Sequence, residues 1–240
     1  EKFTSSLEFN LTGAQKRTWG EIKSDLTRKQ PMRRLLQGDV GSGKTLVGAL
    51  SALHAHENGW QTAFMCPTEI LAEQHHLSLS EWFSSLGLKV ELLTGSTNAS
   101  DRKEIITKLK GGEINILVGT HALFQEDVIF NCLGLTVIDE QHRFGVHQRF
   151  SMLEKGGTKN QSPHQLIMTA TPIPRTLAMT VYGSLETSVI DEMPPGRRPV
   201  ETSARPNSLR QKVIKRIKEV CLSGQRVYWV CTLIEESEEL

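Results

Sequence analysis

The residues Gly38-Asp39-Val40-Gly41-Ser42-Gly43-Lys44-Thr45 match the pattern G-x-x-x-x-G-K-[ST] at every fixed position. Glycines at those places let backbone N–H groups turn inward onto phosphate oxygens. A lysine at Lys44 can reach the β/γ-phosphates, and a hydroxyl at Thr45 can ligate Mg²⁺. A second acidic motif, Asp139-Glu140-Gln141-His142, follows the apolar run Leu135-Thr136-Val137-Ile138. That run reads as a buried strand, which puts Asp139 and Glu140 at a strand's carboxyl end, where open α/β sheets bind ligands. Asp139 suits the Mg²⁺ shell and Glu140 suits activation of an attacking water. A third string, Thr169-Ala170-Thr171, completes the ordered set. The chemistry implied is hydrolysis of a nucleoside triphosphate, with ATP and Mg²⁺ as the expected ligands.

Such a site needs a strand, a turn and a helix in that order. Arg33 to Gln37 reads as the strand and Lys44 to Glu57 as the helix, stopped by Asn58-Gly59. A helix from Leu11 to about Arg28, with Thr12 as N-cap, precedes them. Strands at Thr62–Cys66, Lys89–Leu93 and Ile114–Val118 alternate with helices at Glu69–Ser85 and Asp101–Lys110, and further strands end at Asp139 and Met168. This alternation predicts an α/β fold: a mostly parallel sheet with helices on both faces.

Three prolines and a glycine in Met193-Pro194-Pro195-Gly196-Arg197-Arg198-Pro199 break the pattern. The expected organisation is a first domain over 1–192, a linker over 193–206, and the beginning of a second domain over 207–240. In that last part a helix at Leu209–Cys221, capped by Asn207 or Ser208, leads to a strand at Arg226–Val230.

Composition limits the alternatives. The 240 residues are 38% hydrophobic and 23% charged, enough for one large core and part of another. No stretch reaches membrane-spanning length, and the N-terminal residues lack a signal-peptide pattern. Cys66, Cys132, Cys221 and Cys231 form no close metal-type pairing and read as buried free thiols of a reducing compartment. Net charge is +1, yet residues 141–230 carry 14 basic and six acidic groups, compatible with a phosphate-backbone surface or a solvated basic face. His75 and His76 read as ordinary solvent-facing or core histidines.

The three motifs together resemble those of superfamily 2 helicases and translocases. The strings running from Asp139 to Val146, from Thr169 through Pro172-Ile173-Pro174-Arg175 to Ala178, and from Tyr228 to Ser237 are similar to the bacterial branch-migration helicases. Transcription-repair coupling translocases share the phosphate loop and the Thr169–Thr176 string.

The resemblance implies a RecA-like P-loop NTPase domain with the start of a second RecA-like domain. It also implies a DNA-dependent ATPase that remodels stalled forks and Holliday junctions in the bacterial cytoplasm, at the nucleoid. The implied partners are branched or duplex DNA, an N-terminal wedge domain and the rest of the second motor domain. By the same resemblance Gln15 reads adenine, unless it is a surface helix residue, and Phe9 stacks on the base, unless it is a core aromatic. Gln141 and His142 become sensors near the γ-phosphate, and Thr169 and Thr171 couple the nucleotide site to the DNA path. Thr68, Gln74, Thr94, Gly95, Ser96, Thr120 and His121 fall in strand-tracking motifs that hold phosphates without reading sequence, with helix capping and turn formation as their structural alternatives. A rival reading is a nucleotide-gated binding module, against which Glu140 argues because a pure switch needs no water-activating carboxylate.

Overall fold

A computed structural model describes residues 3, 10–140, 162–171, 185–193, 196 and 200–230. The chain divides into two compact units, Glu1–Gly196 and Arg197–Leu240.

In the first unit the described elements are helix α1 (Gly13–Leu26), β1 (Arg33–Gly38), α2 (Lys44–Glu57), β2 (Gln61–Met65), α3 (Glu69–Ser84) and β3 (Val90–Leu93). They continue with α4 (Ala99–Lys110), β4 (Ile116–Gly119), a 3-10 turn (His121–Phe124), β5 (Leu133–Asp139), β6 (His164–Thr169) and β7 (Glu186–Ile190). The seven strands form one sheet in the order β3-β4-β2-β5-β6-β1-β7, and every pairing is parallel. Parallel strands covered on both sides are apolar nearly throughout, and β2, β4 and the last five residues of β5 are buried at every position.

Alternate strand residues face two different cores. Phe64, Val118, Val137 and Met168 join Ile22, Val47, Leu79 and Phe83 of the first three helices. Their neighbours Ala63, Met65, Leu117 and Ile138 join Ile105 and Leu109 of α4 and Leu123 of the 3-10 turn. The period of two along each strand therefore places helices on both faces, as the α/β reading requires.

Helix α1 begins as the sequence suggests. Thr12 accepts from the Gln15 N–H, and the Gln15 side chain accepts from the Thr12 N–H, a reciprocal cap of the kind that stabilises a helix start by about 1 kcal/mol. The helix is tied to the sheet by an ion pair inside β1. Arg34 is 7% exposed, donates through Nε to Asp25 Oδ2 at 2.8 Å and through a terminal nitrogen to the Ser188 hydroxyl at 2.8 Å. Arg28 lies 3.0 Å from the other Asp25 oxygen and Glu21 3.6 Å from Arg34, so the buried pair is the centre of a four-residue charge network.

Two differences from expectation stand out. Strand β7 lies at the sheet edge beside β1, in a segment for which no strand is expected from sequence. In the second unit, a 3-10 turn (Asn207–Leu209) precedes helix α5 (Arg210–Leu222), and Arg210 lies 5.9 Å from the Trp229 ring. Asn207 and Ser208 lie within the turn, and α5 has no side-chain cap. Residues Arg226–Val230 do not form the expected strand; a strand is defined by its ladder, and no described residue of this unit pairs with it. Among the described residues no helix is long and apolar enough to cross a membrane.

Candidate active site

A cleft of about 710 Å³ opens at the carboxyl ends of β1, β5 and β6. It is lined by Gly41, Lys44 and Thr45 from the phosphate loop, Thr68 from the start of α3, and Asp139 and Glu140 from the end of β5. Sequence positions separated by more than a hundred residues, from Val40 to Thr171, meet there because their strands are adjacent and point the same way.

The loop between β1 and α2 takes its shape from two glycines in the left-handed region, Gly41 at φ 75° and Gly43 at φ 91°. Gly43 is also pressed from outside. A Cβ placed there would lie 2.3 Å from Gln15 Nε2, because Gln15 donates to the Ser42 carbonyl at 2.8 Å. Gln15 is 3% exposed, so it links the N-terminal turn of α1 to the loop. Gly43→Ala adds about 1–2 kcal/mol of backbone strain and displaces Gln15. The expected result is a lower melting temperature together with weaker nucleotide binding; a variant unchanged in both would refute the role given to this contact.

Lys44 Nζ donates to the Gly38 and Asp39 carbonyls at 2.8 and 3.0 Å, folded back along its own loop. Burial holds its pKa below the ordinary lysine value, an effect opposed by the carboxylates of Asp139, Glu140 and Asp39. Asp39 itself accepts from the Val40 N–H at 2.7 Å. The buried Ser42 hydroxyl has no hydrogen-bond partner among the described residues.

Glu140 is the sole non-glycine residue at positive φ among those described, at φ 49°. A left-handed carboxylate residue at a strand end is strained. The strain is held by its neighbours: Glu140 N–H donates to the Met168 carbonyl at 2.9 Å, while its carboxylate accepts from the Thr169 hydroxyl at 3.2 Å and the Ala170 N–H at 3.0 Å. Thr169 Oγ1 also accepts from the Thr171 N–H at 3.1 Å. The acidic motif and the Thr169–Thr171 string are thus one hydrogen-bonded group. Asp139 is 9% exposed, and its Oδ2 lies 2.9 Å from His75 Nε2.

The donor set fits a magnesium-bound nucleotide. A hydroxyl, a carboxylate and a loop of inward-turned backbone are hard oxygen ligands and phosphate donors, and they share one cleft.

Thr68, Thr94, Gly95, Ser96, Thr120 and His121 follow the carboxyl ends of β2, β3 and β4. Thr68 caps α3, accepting from the Leu71 N–H at 3.4 Å. Glu69 beside it accepts from the Ser96 N–H and hydroxyl at 3.2 and 2.9 Å, bonds that hold its carboxyl pKa below the usual range. Thr94 and Ser96 share a hydroxyl contact at 2.9 Å, and a Cβ placed on Gly95 would lie 3.3 Å from Glu69 Oε1 and 3.8 Å from the His121 ring. Thr120 is buried with its hydroxyl unpartnered among the described residues. Gln74 is exposed on α3. Phe9, Gln141 and His142 lie outside the described residues. Cys66 is buried beside the site, where burial and the Asp139 charge push its thiol far up and leave it unreactive.

Sequence reasoning passed over His75 and Glu69. His75 lies three residues after Ala72 and four before Leu79, both buried. A polar residue on the inner stripe of the helix after β2 was the available signal.

The fold is that of the helicase family. The family model described as DEAD/DEAH box helicase matches residues 12–180, and the chain belongs to that family. It is 55% identical over 241 residues to the ATP-dependent DNA helicase RecG of Pasteurella multocida (strain Pm70), a match spanning all of this chain and 35% of the relative. It is likewise 55% identical over 240 residues to RecG of Escherichia coli (strain K12), again with 35% of the relative covered. The chain thus spans about a third of the length of these curated relatives. A solved structure of RecG bound to a three-way DNA junction superposes with a TM-score of 0.81 at 45% identity, covering 93% of this chain and 29% of that one. The DEAD-box helicase Mss116 bound to ssRNA and UDP-BeF shares the fold alone, with a TM-score of 0.71 at 18% identity over 93% of this chain and 50% of that one.

Proposed function

We propose that this chain is the nucleotide-binding lobe of an ATP-dependent DNA helicase that remodels branched DNA, such as regressed forks and Holliday junctions. The observation that carries this reading is the cleft that unites Lys44, Thr45, Asp139 and Glu140 at the carboxyl ends of parallel strands. The RecG likeness supports the branched-DNA substrate. Residues 1–192 form the lobe, 193–206 the linker and 207–240 the beginning of a second RecA-like lobe. That second lobe and a wedge domain are the partners within a longer protein acting in the bacterial cytoplasm.

The backbone turned by Gly41 and Gly43 receives the phosphate oxygens, and Lys44 exchanges its two loop carbonyls for the β/γ-phosphates. Thr45 and Asp139 would hold Mg²⁺, which when bound would neutralise phosphate charge. Glu140, oriented by Thr169 and the Ala170 N–H, accepts the proton of the attacking water. Because the same two residues hold Glu140 and lead away from the site, movement of the Thr169–Thr171 segment is felt at the base. Gln15 borders the loop, and to read adenine its carboxamide has to exchange its bonds to the Thr12 N–H and the Ser42 carbonyl for the base.

DNA binds along the edge formed by Thr68, Gln74, Thr94, Gly95, Ser96, Thr120 and His121, through hydroxyls and backbone donors suited to phosphates. Binding by the complete protein is therefore expected to be indifferent to base sequence and steeply weakened by salt. Each neutralised phosphate steepens the decline of log affinity against log salt by about 0.9. Titrations of unrelated junction sequences at several salt concentrations, with ATP turnover measured alongside, test the proposal. A strong preference for one sequence, or turnover indifferent to DNA, would overturn it.

A further inference from the structure

Helix α3 carries Thr68 at its exposed start and buries Ala72, Leu79 and Phe83 against the sheet. His75 lies on the buried stripe, in a place that apolar packing ordinarily claims. Its ring rests on Phe64 of β2, with centroids 5.0 Å apart. Its Nε2 meets Asp139 Oδ2 at 2.9 Å, the two side chains being 12% and 13% exposed. Among the described residues His75 is the side chain that hydrogen-bonds this carboxylate, so one carboxylate oxygen is fixed while the other is left to a ligand. An imidazole behind a liganding carboxylate sets its rotation.

Thr68 and His75 are seven residues apart on one helix, close to two turns and about 10 Å along its axis. A shift of α3 at the end that bears Thr68 therefore moves the imidazole behind Asp139.

We propose that His75 is a positioning residue. It holds the Asp139 carboxylate in the orientation that receives a magnesium-bound nucleotide, and it makes that orientation depend on the seat of α3, the helix whose first turn faces DNA. The inference rests on Asp139 being the metal-side carboxylate of the proposed function.

The test measures binding of a fluorescent ATP analogue by the complete protein as Mg²⁺ is titrated, with and without a saturating three-way duplex. His75→Leu keeps the bulk against Phe64 and removes the donor; His75→Gln restores a donor. The Leu variant is expected to need about tenfold more Mg²⁺ for half-maximal binding, with binding in EDTA unchanged, and the Gln variant to recover part of the loss. DNA is expected to lower the Mg²⁺ midpoint of the parent protein and to leave that of the Leu variant unmoved.

An unchanged midpoint in the Leu variant overturns the inference, as does an equal loss of binding in EDTA, which marks a packing role. A DNA response that is absent in the parent, or equal in both proteins, overturns its coupling half. Asp139→Asn is measured in parallel. If that variant leaves the midpoint unmoved, the metal-side reading of Asp139 fails; if it raises the midpoint while His75→Leu does not, the role of His75 alone fails.

Discussion

Lys44→Ala in the complete protein is expected to abolish ATP hydrolysis, lowering turnover by at least about a hundredfold to a thousandfold. The magnitude follows from where the charge stands. Lys44 is the cation supplied by the loop, it is half-buried, and its present partners are two carbonyl oxygens that it can release to phosphate. The Gly38 carbonyl ends β1 and the Asp39 carbonyl is exposed at the start of the loop, both outside the body of the core, so their loss of a partner costs the fold little. The thermal transition should therefore stay close to that of the parent while turnover collapses. Turnover within tenfold of the parent would remove Lys44 from the chemistry, and a collapsed melting curve would show that it is a structural residue.

Glu140→Gln should separate binding from chemistry. The carboxamide keeps the shape and one acceptor oxygen, so contact with the Ala170 N–H survives, but it cannot take a proton from water. Nucleotide affinity is expected to remain within about twofold of the parent, while turnover falls by roughly 10²–10⁴, the usual worth of a general base. Equilibrium binding and single-turnover hydrolysis on the same preparation check both halves. Substantial hydrolysis by the Gln variant would pass the role of base to another group.

The phosphate loop, the acidic pair and the alternation of strands and helices were legible because each is a local pattern. The run of four residues before Asp139 and the glycines around Ser42 can be read without knowing what lies beside them. Strand β7 was not legible. Its residues Glu186-Thr187-Ser188-Val189-Ile190 are half polar, and only pairing along the edge of β1 settles their conformation. The same holds for Arg34, a charge inside a short apolar strand whose partner Asp25 comes from the preceding helix.

His75 shows the limit within the site. Two adjacent histidines in a helix say nothing by type, since His76 meets the Val90 carbonyl and His75 meets Asp139. Which of the two turns inward is decided by helical phase against Ala72 and Leu79, and which carboxylate it meets by the adjacency of β2 and β5. Residues Arg226–Val230 illustrate the opposite error. Their apolar and aromatic types have strand propensity, but propensity describes fitness for a ladder and cannot supply one.

The sheet order also fixes when the nucleotide cradle can form. β1 is the earliest of the described strands, yet its two neighbours are β6 and β7, paired through Arg33↔Gln165 and Arg34↔Glu186. On a ribosome adding about 5–20 residues per second, β1 waits on the order of ten seconds or longer for its partners to emerge. Late in that wait β2 can pair with β4 and β5, so the far half of the sheet can assemble while the strand that feeds the phosphate loop still has two open edges. An aggregation-prone interval is thus written into the topology, and a nascent chain released before Glu186 would leave β1 with an open edge.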